Sequence, residues 1–148
     1  VKALYSLSHG EGYGLPMFEA AYSGLPVVCP DWGGQIDFLY IEEKGKKKAM
    51  FNQISFDLKP VQKEAVWPTV IEASSFWCFP KQWHVKKTLR NVYKDYPNAL
   101  SKAKKLKKYL EKEHAEDKMY AKFVSSIFKE EHFDIENWLS DLEVESFE

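Results

Sequence analysis

Nine residues near the start of the chain, Ser8-His9-Gly10-Glu11-Gly12-Tyr13-Gly14-Leu15-Pro16, restrict its fold more than any other stretch. The apolar run Val1–Ser8 before the loop reads as a buried strand, and Pro16–Ser23 after it reads as a helix. Three glycines in five positions let the backbone turn sharply and approach a ligand closely. Pro16 suits a first helical turn, where a missing N–H is no loss. Neither Gly14 nor Leu15 has a side-chain oxygen to cap that helix, so its free N–H donors and positive dipole end face outward. Such a turn at the C-terminal edge of an open parallel sheet is where these sheets bind ligands, and a phosphate satisfies the helix end.

Two carboxylates frame this expected anion site: Glu11 inside the glycine loop and Glu19 one turn into the helix. A carboxylate does not bind phosphate, but it accepts hydrogen bonds from neighbouring hydroxyls. A ligand with hydroxyls on both sides of a phosphate fits, and a nucleotide sugar (ribose, pyrophosphate, hexose) is one. From the residues alone, a plain glycine turn beside solvated carboxylates accounts equally well for the pattern, because the motif is weak by itself.

The rest of the chain supplies the expected sheet. Pro26–Pro30 reads as a second strand, Gln35–Glu42 as a short helix after Gly33-Gly34, and Ala49–Phe56 as a third strand. Strand alternating with helix predicts an α/β fold: a partial Rossmann-like parallel sheet of about three strands, followed by several C-terminal helices. Those helices are expected at Lys81–Tyr93 (apolar stripe Trp83, Val85, Leu89, Val92, Tyr93), from Pro97 onward (Leu100, Ala103, Leu106, Leu110), at Met119–Phe128 and at Phe133–Leu142. The acidic residues from Glu143 on are expected to fray. Complete nucleotide-binding sheets have about five or six strands, so the chain reads as half of such a domain. The open edge of the first strand then predicts self-association.

Composition bounds the function. With 148 residues, 45% hydrophobic and 29% charged, one domain with a real core is expected. No apolar run approaches the ~18 residues of a membrane span, and no signal-peptide pattern opens the chain. Cys29 and Cys78 read as buried thiols, pointing to a reducing cytoplasm. His9, His84, His114 and His132 lack metal-ligand spacing, so no zinc site is expected. Residues 81–112 hold eleven basic and two acidic side chains, and 113–148 hold three and eleven. Arg90 is the one arginine, which argues against a nucleic-acid reader built on arginine forks. The lysines of 99–112 offer peripheral contact with an anionic inner membrane face, but a solvated face or pairing with the acidic tail is preferred because the apolar stripe is narrow. Trp67, Phe76, Trp77, Phe79 and Trp83 are read as core packing in preference to sugar stacking. For His9, a bond to phosphate or sugar and no role at all are equally good readings.

The segment from Ser8 to Val28 resembles the E-x(7)-E region of retaining glycosyltransferases of the GT-B fold, family 4 above all. Ser8, Glu11, Gly12, Tyr13, Gly14, Leu15, Pro16, Glu19, Ala20, Gly24, Pro26, Val27 and Val28 stand in register with the family pattern. Gly33-Gly34 with Asp37 resembles its G-G-x-x-E stretch, with aspartate for glutamate, and Trp77–Asp95 resembles its W-x-x-P segment and following helix. The likeness is dense over the first forty residues, looser to about Phe128 and absent in the acidic tail. Leu7 stands for a common proline and Tyr13 for phenylalanine, neither in a polar role.

The resemblance implies transfer of a sugar from a UDP- or GDP-sugar donor to an acceptor hydroxyl with retention, without cofactor or metal; no D-x-D triplet occurs. It implies that Glu11 holds the sugar beside the reacting carbon and Glu19 the ribose. The loop of Ser8, His9, Gly12, Tyr13, Gly14 and Leu15 would then take the rest of the donor, with the Gly14 and Leu15 amides on the pyrophosphate. Residues 1–95 would be the second half of the donor domain, beginning at about its fourth strand, and 96–148 a helical region. The acceptor (sugar, lipid or protein) and the basic pair that neutralises the leaving phosphate would sit on parts outside this chain. A non-catalytic nucleotide-binding or protein-interaction domain, and a phosphorylase, use the same architecture and remain alternatives.

Overall fold

The computed structural model describes residues 2–127. In chain order it contains β1 (Leu4–Tyr5), α1 (Leu15–Tyr22), β2 (Val27–Pro30), α2 (Ile36–Leu39), β3 (Tyr40–Glu43), β4 (Lys46–Ala49), β5 (Asn52–Ile54), β6 (Phe56–Pro60), β7 (Phe76–Pro80), α3 (Gln82–Lys94), α4 (Tyr96–Glu113) and α5 (Glu116–Ile127). Two compact units divide it, Val1–Lys112 and Glu113–Glu148. The helix expected at Phe133–Leu142 and the acidic tail lie outside the described residues.

The expected three-stranded parallel sheet is present, in the order β1-β2-β5. Leu4 pairs with Val27, and Cys29 with Gln53. All four residues of β2 are buried, as a central strand covered on both faces requires. Alternation along β2 sorts its side chains. Val27 and Cys29 join Met17, Ala21, Phe38, Leu106 and Leu110 in one core, while Val28 joins Ile54, Val85, Val92 and Ala99 in a second. On α4 the stripe Ala99, Ala103, Leu106 and Leu110 is buried at helical spacing, close to the expected one. On α3 the buried positions are Val85, Thr88 and Val92, whereas Trp83, Leu89 and Tyr93, expected in the stripe, are exposed.

Helix α3 also closes the outer side of β5. The Thr88 hydroxyl donates to Gln53 O at 3.3 Å, and the Ser55 N–H donates to His84 Nδ1 at 2.7 Å. Gln53 O and the Ser55 N–H, which a bare edge would leave open, are thereby partnered.

Two antiparallel hairpins depart from the sequence expectations. The helix expected over Gln35–Glu42 stops after Leu39, and β3 pairs with β4 instead. Its two-residue turn is Lys44-Gly45, with φ of 52° and 73°, the left-handed pair that suits the twist of a tight hairpin. Glu42 faces Lys47 and Glu43 faces Lys46, opposite charges across the ladder. Likewise the third parallel strand ends at Ile54, and Phe56 begins β6, which pairs with β7 across residues 61–75. This ribbon lies outside the parallel sheet, with Phe56, Trp77 and Phe79 half-buried. Phe76 on β7 (58% exposed), Trp67 in the connection between β6 and β7 (65%) and Trp83 on α3 (62%) are surface residues, which overturns the core reading for those three.

Cys29 and Cys78 are free and buried, as expected. Burial pushes Cys29 from its ordinary 9 up to about 12, aided by Asp31, and Cys78 up to about 11. Both thiols should therefore resist iodoacetamide at pH 8 in the folded chain and react once it is unfolded. Because the folded values are raised, their stabilising contribution is complete below the unfolded value near 9. It is lost as pH climbs from there toward 11–12. A mass-spectrometric alkylation assay and pH-dependent unfolding check both statements.

The unit Glu113–Glu148 contributes α5, whose described side chains are exposed, with Lys118 ion-paired to Glu113 at 3.3 Å. Among the described residues no helix is long and apolar enough to cross a membrane.

Candidate functional site

The glycine loop leaves the C-terminal end of β1, as its sequence suggested. Ser6 N–H still pairs with Val28 O at 3.0 Å, and Ser8 N–H turns back to the Ser6 hydroxyl at 3.4 Å. At its far end Gly14 adopts a left-handed conformation, φ 85° and ψ 47°, which glycine takes without a Cβ penalty. Met17 and Phe18 donate to Gly14 O at 2.9 and 3.0 Å, starting α1 with no side-chain cap and Pro in its first turn. The amides of Gly14 and Leu15 have no acceptor among the described residues. They are among the donors that the start of a helix leaves without an intrahelical partner.

The loop is tied down from two sides. On one, the turn after β2 packs against it: Gly34 N–H donates to Glu11 O at 2.9 Å. A Cβ on Gly34 would lie 1.9 Å from Gly12 O, and one on Gly14 would lie 2.9 Å from Gln35 Cβ. Gln35 is buried and its amide donates to Pro30 O at 3.4 Å and to Trp32 O, bracing that turn from below. On the other side β7 meets the loop. Cys78 N–H donates to His9 O at 3.1 Å, and His9 Nδ1 lies 2.6 Å from Cys78 O.

The carboxylates occupy different settings. Glu11 is half-buried in the loop between these two ties, and Glu19 is exposed. Leu15 and Glu19, four apart on α1, share its exposed face, while Met17, Ala20 and Ala21 face the core. Tyr13 rests its ring on Phe18 and Phe38, at 5.6 and 5.1 Å. Burial and then the Asp37 carboxylate hold its hydroxyl above the usual range. Among the described residues no cluster of three or more His, Cys, Asp or Glu side chains is gathered for a metal ion.

Sequence reasoning missed the bracing residues. Gln35 carried no signal beyond its place after two glycines. Contact between His9 and Cys78 joins residues 69 apart, which no local pattern announces.

A protein-family model described as family 4 glycosyltransferase in conflict systems matches residues 3–123. The chain belongs to that family. No curated protein and no solved structure matched it. In this family 4 glycosyltransferase domain the matched stretch includes the parallel sheet, both hairpins and the whole glycine loop with its two ties. Glycosyl transfer is therefore the chemistry against which the loop is to be understood.

Proposed function

We propose that this domain binds the donor of a retaining sugar transfer, a UDP- or GDP-sugar, at the glycine loop and the start of α1. The observation that carries the reading is the pair of amides without acceptors, Gly14 and Leu15, on a helix end flanked by Glu11 and Glu19. The two amides and the helix dipole take the pyrophosphate. Glu19, one turn along the exposed face, accepts from the ribose hydroxyls. Glu11, held by Gly34 on the other side of the anion position, accepts from the sugar hydroxyls beside the anomeric carbon. Ser8, His9, Gly12 and Tyr13 complete the loop's lining.

As the sugar–phosphate bond breaks, charge grows on the leaving phosphate, where fixed amides stabilise it without reorganising. The acceptor hydroxyl, on a sugar, lipid or protein, and further basic groups would come from beyond this chain, in the cytoplasm or at the inner membrane face. On this reading residues 1–95 are the second half of the donor domain, and 96–148 its helical continuation.

Glu19→Ala in the intact glycosyltransferase tests the site. Losing charged hydrogen bonds to a ribose diol should weaken UDP or GDP binding by on the order of 1.5–3 kcal/mol. Titration calorimetry giving an unchanged nucleoside diphosphate affinity would remove Glu19 from the site.

A further inference from the structure

His9 stands two residues before Glu11, and its ring is fixed from three directions. Nδ1 lies 2.6 Å from Cys78 O. A carbonyl oxygen only accepts, so Nδ1 carries the proton and donates. The ring stacks on Trp77, centroids 5.1 Å apart and planes within 8°, and Phe79 tilts against it at 4.6 Å. With Nδ1 protonated, the neutral imidazole has one acceptor left, Nε2. Nε2 has no partner among the described residues and is not sealed from solvent.

We propose that His9 reads a hydroxyl of the transferred sugar, with Nε2 accepting the hydrogen bond while β7 holds the ring. The inference rests on the nucleotide-sugar reading above and adds a residue that chooses among sugars. Chain order supports it. The amides at Gly14 and Leu15 take the pyrophosphate, and the loop runs back from them through Glu11, on the sugar side, to His9. Charge supports it too. A bare Nε2 lone pair repels phosphate oxygens and suits a hydroxyl donor. Because the ring is already stacked and bonded, little further side-chain freedom is lost when the ligand arrives. The arrangement also gives β7 a purpose: its Cys78 carbonyl sets the tautomer and its aromatic rings set the plane.

The test uses full-length protein labelled with 13C and 15N, with the His9 ring assigned through bonds from its own backbone resonances. The free protein should show His9 protonated at Nδ1. UDP-glucose, UDP-N-acetylglucosamine or GDP-mannose, whichever binds, should shift Nε2, whereas UDP and GDP should leave it unmoved. Asparagine keeps an N–H near the Cys78 carbonyl but has no atom at the Nε2 position. His9→Asn should therefore weaken sugar-nucleotide binding about fivefold and leave UDP or GDP affinity unchanged. Nε2 unmoved while a sugar nucleotide binds the wild-type protein would overturn the proposal and leave the donor site standing, and this holds whether or not the variant folds. If no nucleotide or sugar nucleotide binds at all, the donor reading fails and the role of His9 falls with it.

Discussion

Gly34→Ala should cost about 3 kcal/mol or more of folding stability and abolish nucleotide binding in whatever remains folded. The added methyl would sit 1.9 Å from Gly12 O, 2.7 Å from Gly12 C and 3.0 Å from Tyr13 Cα. All three atoms are backbone, so no side chain can swing aside to make room. Either the glycine loop retreats and breaks the Gly34 N–H to Glu11 O bond, or the turn after β2 shifts and disturbs buried Gln35. Both routes move Glu11 and the amides at the start of α1. Gly10→Ala is the matched control: nothing lies within 4 Å of its Cβ position, and the change should be near neutral. Thermal unfolding of the pair, followed by calorimetry with UDP and GDP, gives the comparison. Equal stability of the two variants would mean that the two turns do not bear on one another as described.

Glu11→Gln in the intact enzyme should lower turnover about 100- to 1000-fold, ~2.7–4 kcal/mol of barrier, while leaving nucleoside diphosphate affinity nearly intact. The amide keeps the shape and one acceptor oxygen but loses the charge. On the proposed geometry that charge acts where the anomeric carbon becomes electron-poor. Glu19 presents the opposite profile, loss of affinity with little loss of turnover at saturation, because it serves the ribose in ground and transition states alike. Turnover at saturating donor, measured beside nucleoside diphosphate affinity, separates the two. Full turnover in Glu11→Gln would reduce this side chain to a loop carboxylate.

Much of the fold was legible because its signals are local. Apolar runs bounded by glycine and proline marked the three parallel strands and α1, and the helical spacing of Ala103, Leu106 and Leu110 marked α4. The glycine loop was legible for the same reason, and the family pattern it carries agrees with the family matched over residues 3–123. The two hairpins were not legible. Lys44-Gly45 lacks the Asn-Gly or Asp-Gly signature of a tight turn, and the run Lys46–Lys48 looks like surface charge rather than strand. β6 and β7 pair across residues 61–75, and such non-local pairing leaves no periodic trace in either segment. The aromatics were misjudged on kind alone. A large apolar ring is usually buried, but Trp67 in the connection between β6 and β7, Phe76 on β7 and Trp83 on the flank of α3 are each more than half exposed. The ties on the loop were hidden likewise: a glycine pair hints at a turn, but not at which backbone presses on it.

The side-chain closure of β5 gives the sheet a direction of growth. With Gln53 O and the Ser55 N–H already engaged by Thr88 and His84, an incoming strand finds those two ladder positions occupied on that flank. Within the three-stranded parallel sheet, β1, hydrogen-bonded to β2 on one side, is the flank left open among the described residues. A further strand joining that sheet, from the same polypeptide or from another molecule, would add beside β1, next to the root of the glycine loop. If the loop holds the donor as proposed, a strand recruited there would lie beside the residues that lead into it, and recruitment and ligand binding would bear on one another.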